Sequence, residues 1–194
     1  FSTNLNTEYD IFFYTDNCRN INDKNISNNT IKIIIRGEPR DIDKNNYDIS
    51  IGGVKQYNTV NIYYSFLLLS LNERRKLNNI YNVNFNNKKD FCFMYKVDYP
   101  HRVNIFNEFS KHFKVDSYGN SCNNIKIQNT RFTYNENETY NDIAVGIYSD
   151  YKFVLAIENT IKEGYYTEKL INPILANSIP IYYGTPDAFN IINK

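Results

Sequence analysis

Residues 153–187 read FVLAIENTIKEGYYTEKLINPILANSIPIYYGTPD, and the rest of the chain is organised around them. Phe153 to Ile157 is an apolar run of strand length, too short for an independent helix and closed by the polar group Glu158-Asn159-Thr160. It predicts a buried strand. Thr167 offers an N-cap oxygen, Leu170, Ile171, Ile174 and Leu175 recur at helical spacing, and Ile179 to Tyr183 makes a second apolar run that stops at Gly184. The order is strand, loop, helix, strand. Such units build parallel sheets in α/β proteins, where ligands bind beyond the carboxyl ends of the strands, here at the ENT and GYYTEK residues. Pro173 removes a backbone donor inside this helix, which predicts a helix that is kinked or begins later than Thr167.

The chemistry of the loop suits an anionic group. A helix N-terminus presents unpaired N–H groups and partial positive charge, Lys169 adds a full charge in the first turn, and Asn159, Tyr165 and Glu168 supply polar contacts. Glu168 suits ribose hydroxyls and Lys169 a phosphate. Alone, a Glu-Lys pair reads as an ordinary solvated first turn. The whole string changes that weighting. Glu158-Asn159-Thr160, then Gly164-Tyr165-Tyr166-Thr167-Glu168-Lys169-Leu170, then Ile179-Pro180-Ile181-Tyr182-Tyr183-Gly184 followed by Pro186 closely resembles the donor-binding signature of the α-1,3-fucosyltransferases, glycosyltransferase family ten. The resemblance is dense from about Phe91 to Pro186 and thinner before it.

Length and composition bound the alternatives. A chain of 194 residues can bury a sizeable core as one large domain or two small ones. A net charge of +1, with Lys and Arg scattered, argues against nucleic acid as the main partner. The 33 Asn residues and the absence of Trp look like the codon bias of an AT-rich genome and say nothing about fold. Cys18, Cys92 and Cys122 cannot all pair within the chain and have no zinc-like spacing, so reduced structural cysteines are expected. No stretch has the length of a membrane span or the layout of a signal peptide. Opening on Phe1 and stopping at Lys194 is compatible with a piece of something longer, which leaves the compartment open. A bacterial or viral setting would make it cytoplasmic, and a fragment of a type II membrane enzyme would belong to the Golgi lumen.

In chain order, Asp10 to Tyr14, Ile31 to Arg36 and Tyr47 to Ile51 read as strands, with Gly37-Glu38-Pro39 at the end of the second. Asn72 to Tyr81 reads as a polar helix and Asn82 to Asp90 as the linker, placing a domain boundary near residue 86. Phe91 to Tyr95 then opens a second α/β domain. Pro100 to Phe113 follows as a helix with Val103, Phe106 and Phe109 along its apolar face. Lys114 to Tyr118 reads as strand, with Gly119-Asn120 as its turn, and Asn141 to Asp150 as a short helix. His101 and His112 flank the Pro100 helix without metal-like partners and read as structural.

The resemblance implies roles for further residues. Glu38 falls on the family's proposed general base, a carboxylate that takes the proton from an acceptor hydroxyl as it attacks the sugar. A solvated loop glutamate is the plain alternative. Arg102 matches the family's arginine that contacts the nucleotide diphosphate, and it stands in the first turn of a helix, where a guanidinium fork and a helix N-terminus meet one phosphate. The plain alternative there is a surface arginine. Asp41-Ile42-Asp43 has the DxD form with which another class of sugar transferases holds a divalent ion, but Lys44 follows it and the pair lies beyond the strand end. The expectation is therefore no metal site.

Together these features imply a GT-B-like α/β protein of two Rossmann-like domains. Residues 1–86 form an acceptor-side domain, apparently shortened, and residues 87–194 a donor domain for a GDP-sugar. The implied activity is inverting transfer of L-fucose from GDP-fucose to a glycan hydroxyl, α-1,3 to N-acetylglucosamine. Glu38 is the base, and Arg102, Asn159, Tyr165, Glu168 and Lys169 hold the donor, without a cofactor. Two rivals stay open. One is a metal-dependent transferase using Asp41 and Asp43, and the other a non-catalytic nucleotide- or glycan-binding relic.

Overall fold

The computed structural model describes residues 11–15, 26, 29–39, 46–55, 59–61, 84–125, 140–190 and 192. The chain divides into two compact units. The first takes Phe1–Leu67, Thr160–Tyr165 and Thr185–Lys194, and the second Leu68–Asn159 and Tyr166–Gly184.

In the first unit, β1 (Ile11–Thr15), β2 (Ile31–Arg36), β3 (Ile49–Gly52) and β4 (Thr59–Asn61) form a parallel sheet in the order β1-β2-β3-β4. Ile31, Ile33, Ile34 and Ile35 make β2 a run of stiff branched side chains, which suits a pleated sheet better than a helix. The strand expected to begin at Tyr47 begins at Ile49. Asp48 instead bonds Lys32 twice, its Oδ2 accepting from the Lys32 N–H at 2.7 Å and its own N–H donating to Lys32 O at 2.9 Å. Gly52 is required by close approach, since a Cβ there would stand 2.8 Å from Arg36 O. The loop Thr160–Tyr165 is bound into this unit. Lys55 N–H donates to Glu163 O at 2.8 Å, and Gly164 N–H donates to Asp187 Oδ2 at 2.7 Å. The polar helix expected over Asn72 to Tyr81 lies outside the described residues.

The second unit contains β5 (Lys89–Met94), α1 (Pro100–Ser110), β6 (Val115–Tyr118), α2 (Tyr140–Tyr148), β7 (Tyr151–Ile157), α3 (Glu168–Leu175) and β8 (Ile179–Tyr183). Its sheet is parallel throughout, in the order β6-β5-β7-β8. β5 is buried on both faces. Phe91 and Phe93 join one core cluster with Val115, Leu155 and Ile157, while Cys92 and Met94 join another with Ala144, Tyr148, Tyr151 and Val154. This explains an unbroken apolar run where a half-exposed strand would alternate. β5 starts two residues before the expected Phe91, because Lys89 pairs with Tyr151 and its N–H donates to Asp150 O at 2.8 Å. The expected boundary at residue 86 falls in a 3-10 turn, Phe85–Asn87, just ahead of this strand.

α1 turns a different face inward from the one expected. The inward stripe is Arg102, Ile105, Phe106 and Phe109, with Arg102 buried and the other three packed on the core, and Val103 is not among them. The helix stops at Ser110 rather than Phe113, and the N–H groups of His112 and Phe113 close its last turn on Phe109 O. α3 starts at Glu168 directly behind the Thr167 cap and runs through Pro173 to Leu175, so the proline does not delay its start. Lys88 Nζ donates to Ala176 O at 3.2 Å and Asn177 O at 2.7 Å, placing a cation on the carboxyl end of α3. Cys92 and Cys122 are free thiols. Among the described residues no helix is long and apolar enough to cross a membrane.

Candidate functional site

The strand order of the second unit reverses between β5 and β7, the place where parallel α/β sheets bind ligands beyond their carboxyl ends. β5 pairs with β7 as far as Cys92 opposite Val154, and β7 continues to Ile157. Tyr95 completes the edge with its side chain. Its hydroxyl donates to Leu155 O at 2.8 Å and accepts the Ile157 N–H at 2.5 Å, satisfying two buried backbone groups that no strand reaches. The same ring carries Arg102. The guanidinium lies 4.2 Å from the Tyr95 ring centroid and 4.8 Å from that of Tyr99, and its Nε and Nη2 donate to Ile157 O at 3.2 and 3.1 Å. Arg102 is 4 % exposed. It is thus an arginine built into the end of the sheet, and the surface reading is set aside.

The next residue of β7's exit holds the other cation. Glu158 is 1 % exposed, and its Oε1 accepts the Thr167 N–H at 2.7 Å while the Thr167 hydroxyl lies 2.9 Å from Oε2. Lys169 Nζ stands 3.6 Å from Glu158 Oε2, 3.2 Å from Glu168 Oε1 and 2.9 Å from Thr167 Oγ1. Thr167 adopts extended backbone and accepts the Lys169 N–H, so it caps α3 as expected. Burial pushes the Glu158 carboxyl above the usual carboxylate range, the Lys169 ammonium pulls it back, Glu168 adds to the rise, and the Thr167 bonds oppose it. Gly184 completes the wall, since a Cβ there would stand 2.9 Å from Glu158 Cγ. His101 Nε2 lies 2.8 Å from Glu158 O, a carbonyl that only accepts, so Nε2 carries the proton. That contact ties His101 to the backbone at the exit of β7.

Arg102 and Lys169 thus meet β7 at consecutive residues, Ile157 and Glu158, with the N-terminus of α3 beside them. Asn159 follows directly. Its Oδ1 is buried and has no hydrogen-bond partner among the described residues. The Glu168 side chain is 16 % exposed. Tyr165 and Glu38 belong to the first unit. Tyr165 is buried there, and Glu38 is exposed beyond the carboxyl end of β2. Asp41 and Asp43 lie outside the described residues. Sequence reasoning gave no role to Tyr95, Tyr99 or Glu158. Of these only Glu158 carried a local signal, an acid at the end of an apolar strand.

The switch point of this parallel α/β unit thus gathers a buried guanidinium, an ammonium and a helix N-terminus, three sources of positive charge. The chain belongs to glycosyltransferase family 10, since the sequence profile described as "Glycosyltransferase family 10 (fucosyltransferase) C-term" matches residues 78–191. A fucosyltransferase candidate of Acanthamoeba polyphaga mimivirus is 44% identical over 167 residues, covering 85% of this chain and 28% of that protein. Alpha-(1,3)-fucosyltransferase B of Drosophila melanogaster is 35% identical over 85 residues, 44% of this chain and 19% of the fly protein. GDP-fucose protein O-fucosyltransferase 3 of Gallus gallus is 37% identical over 86 residues, 44% of this chain and 18% of its own length. Among solved structures, an alpha1,3-fucosyltransferase aligns with a TM-score of 0.70 at 19% identity, over 97% of this chain and 60% of that one. The same description solved with GDP aligns at 0.68 and 20% identity, over 97% and 59%. The fold is therefore the GT-B-like α/β fold of those structures. The chain spans about a quarter of its mimivirus relative and three fifths of the solved chains.

Proposed function

We propose that this chain is the GDP-fucose-binding and acceptor-activating part of an inverting fucosyltransferase that acts on a glycan hydroxyl, α-1,3 to N-acetylglucosamine. The observation that carries the reading is the meeting of Arg102, Lys169 and the α3 N-terminus at the last residues of β7. These groups neutralise a diphosphate, and they hold the charge that grows on GDP as the glycosidic bond breaks. Asn159 offers its unpartnered oxygen to a ligand hydroxyl or N–H, Glu168 takes the ribose hydroxyls, and Tyr165 adds a further donor contact. Glu38 removes the acceptor proton while the acceptor oxygen attacks the anomeric carbon opposite the departing GDP, which inverts that centre. In this charge balance the protein's cations take the place of a metal ion.

The test is transfer from GDP-fucose to a panel of glycan and protein acceptors, beside GDP affinity by calorimetry. Lys169→Ala removes one charge-assisted contact of about 1.5–3 kcal/mol and is expected to weaken GDP at least tenfold. Glu38→Gln is expected to leave GDP affinity alone and slow transfer by roughly 10²–10⁴. An unchanged dissociation constant for Lys169→Ala removes it from the site, and an unchanged rate for Glu38→Gln removes the base. Abolition of transfer by a chelator would turn attention to Asp41 and Asp43.

A further inference from the structure

Glu158 is the one acid of the site that the transfer mechanism leaves unused, and its surroundings show what it does. Its carboxylate is enclosed by the Thr167 N–H and hydroxyl, by Lys169, and by the end of β8, where Gly184 presents no side chain and the Tyr182 hydroxyl stands alongside. Glu168 adds like charge from the same turn. From α1, His101 meets the backbone carbonyl of Glu158 and Arg102 that of Ile157, so neither serves the carboxylate. Lys169 is thus its only cationic partner among the described residues. A carboxylate with no exposed surface keeps its charge only while such a partner faces it.

We infer that Glu158 is a positioning residue that holds Lys169 in place in the empty site, and that it takes up a proton when a nucleoside diphosphate engages Lys169. This rests on the donor assignment above. The diphosphate brings negative charge to the ammonium and competes for it. Glu158 is then buried with its counter-charge shared, and the neutral carboxyl becomes the favoured form. One proton passes from buffer to carboxylate, and the Thr167 N–H keeps its acceptor in either form. Because the bound state holds more protons than the free state, GDP affinity falls as pH rises, by up to about tenfold per pH unit for a whole proton.

The experiment is calorimetric titration of the intact protein with GDP near neutral pH, in buffers of different ionisation enthalpy, which counts protons exchanged per GDP bound. The phosphate's own second ionisation, near about pH 6, is largely complete there, so its contribution is small in every variant. The unmodified protein is expected to take up more protons than Glu158→Gln, by a difference of up to about one. Lys169→Gln is expected to lose the extra uptake as well, because Glu158 then has no counter-ion to give up. Equal uptake in the unmodified protein and in Glu158→Gln overturns the inference while leaving GDP binding intact. Should Glu158→Gln fail to fold, Lys169→Gln decides, with retained uptake overturning the inference and lost uptake supporting it. No GDP binding by the unmodified protein overturns the donor assignment and this inference together.

Discussion

Tyr95→Phe removes one oxygen and leaves the ring, so it isolates what the hydroxyl does at the edge of β7. In the native chain that oxygen serves two main-chain groups, Leu155 O and Ile157 N–H, in residues exposed by 1 % and 0 %. Water cannot replace it there. A buried polar group left without a partner costs about 1–3 kcal/mol, so the pair costs about 2–6 kcal/mol. The Arg102 guanidinium keeps its place over the ring, since its contact is with the π face and its hydrogen bonds go to Ile157 O. Urea unfolding is expected to show a lower midpoint at unchanged m, and hydrogen exchange to show lost protection at the Ile157 amide. Tyr118→Phe is the control, because among the described residues its hydroxyl meets only the Tyr151 hydroxyl, and Tyr151 keeps its bond to Asp116 at 2.7 Å. A loss under about 1 kcal/mol with the Ile157 amide still protected would refute the claim that the phenol completes the sheet edge.

Two further expectations concern stability. Gly119 has φ +84° and a Cβ there would run into Tyr95 O, so Gly119→Ala is expected to cost more than the roughly 1–2 kcal/mol of a left-handed residue alone. Gly146 sits inside α2 with open space around it, and Gly146→Ala is expected to gain up to about 1 kcal/mol, so thermal melting should move in opposite directions for the two. Burial pushes the Cys92 thiol above its ordinary range, so it stays protonated in the folded chain when the unfolded thiol ionises near about pH 8.5. The folded state then binds more protons, stability falls as pH rises past that point, and Cys92→Ala should flatten the decline in denaturation series across pH. Tyr151, also pushed up by burial and by its bonds to Tyr118 and Asp116, steepens the loss above about pH 10.

The contrast between Thr167 and Arg102 shows which parts of the site a sequence carries. The α3 start was legible because its determinants are local: a threonine oxygen, an acidic first turn and an apolar stripe all lie within a few residues, and Pro173 stands too far along to displace the cap. β5 was legible for a similar reason, since a strand buried on both faces must be apolar at every position. Arg102 was legible as a first-turn cation and illegible as a buried one. Helical periodicity counts an arginine as outward, and that bias moved the expected face of α1 to Val103, Phe106 and Phe109. The structure turns the helix because Ile105, Phe106 and Phe109 pack on the core, and residue 102 stands on the same stripe. What makes the position tolerable is remote in sequence: the carbonyl of Ile157 is 55 residues away, and its availability depends on Tyr95 having taken the neighbouring Leu155 carbonyl and Ile157 amide. The desolvation of a guanidinium is offset only when aromatic faces and an accepting oxygen surround it together, so the same groups that hide this charge from sequence patterns fix where it points.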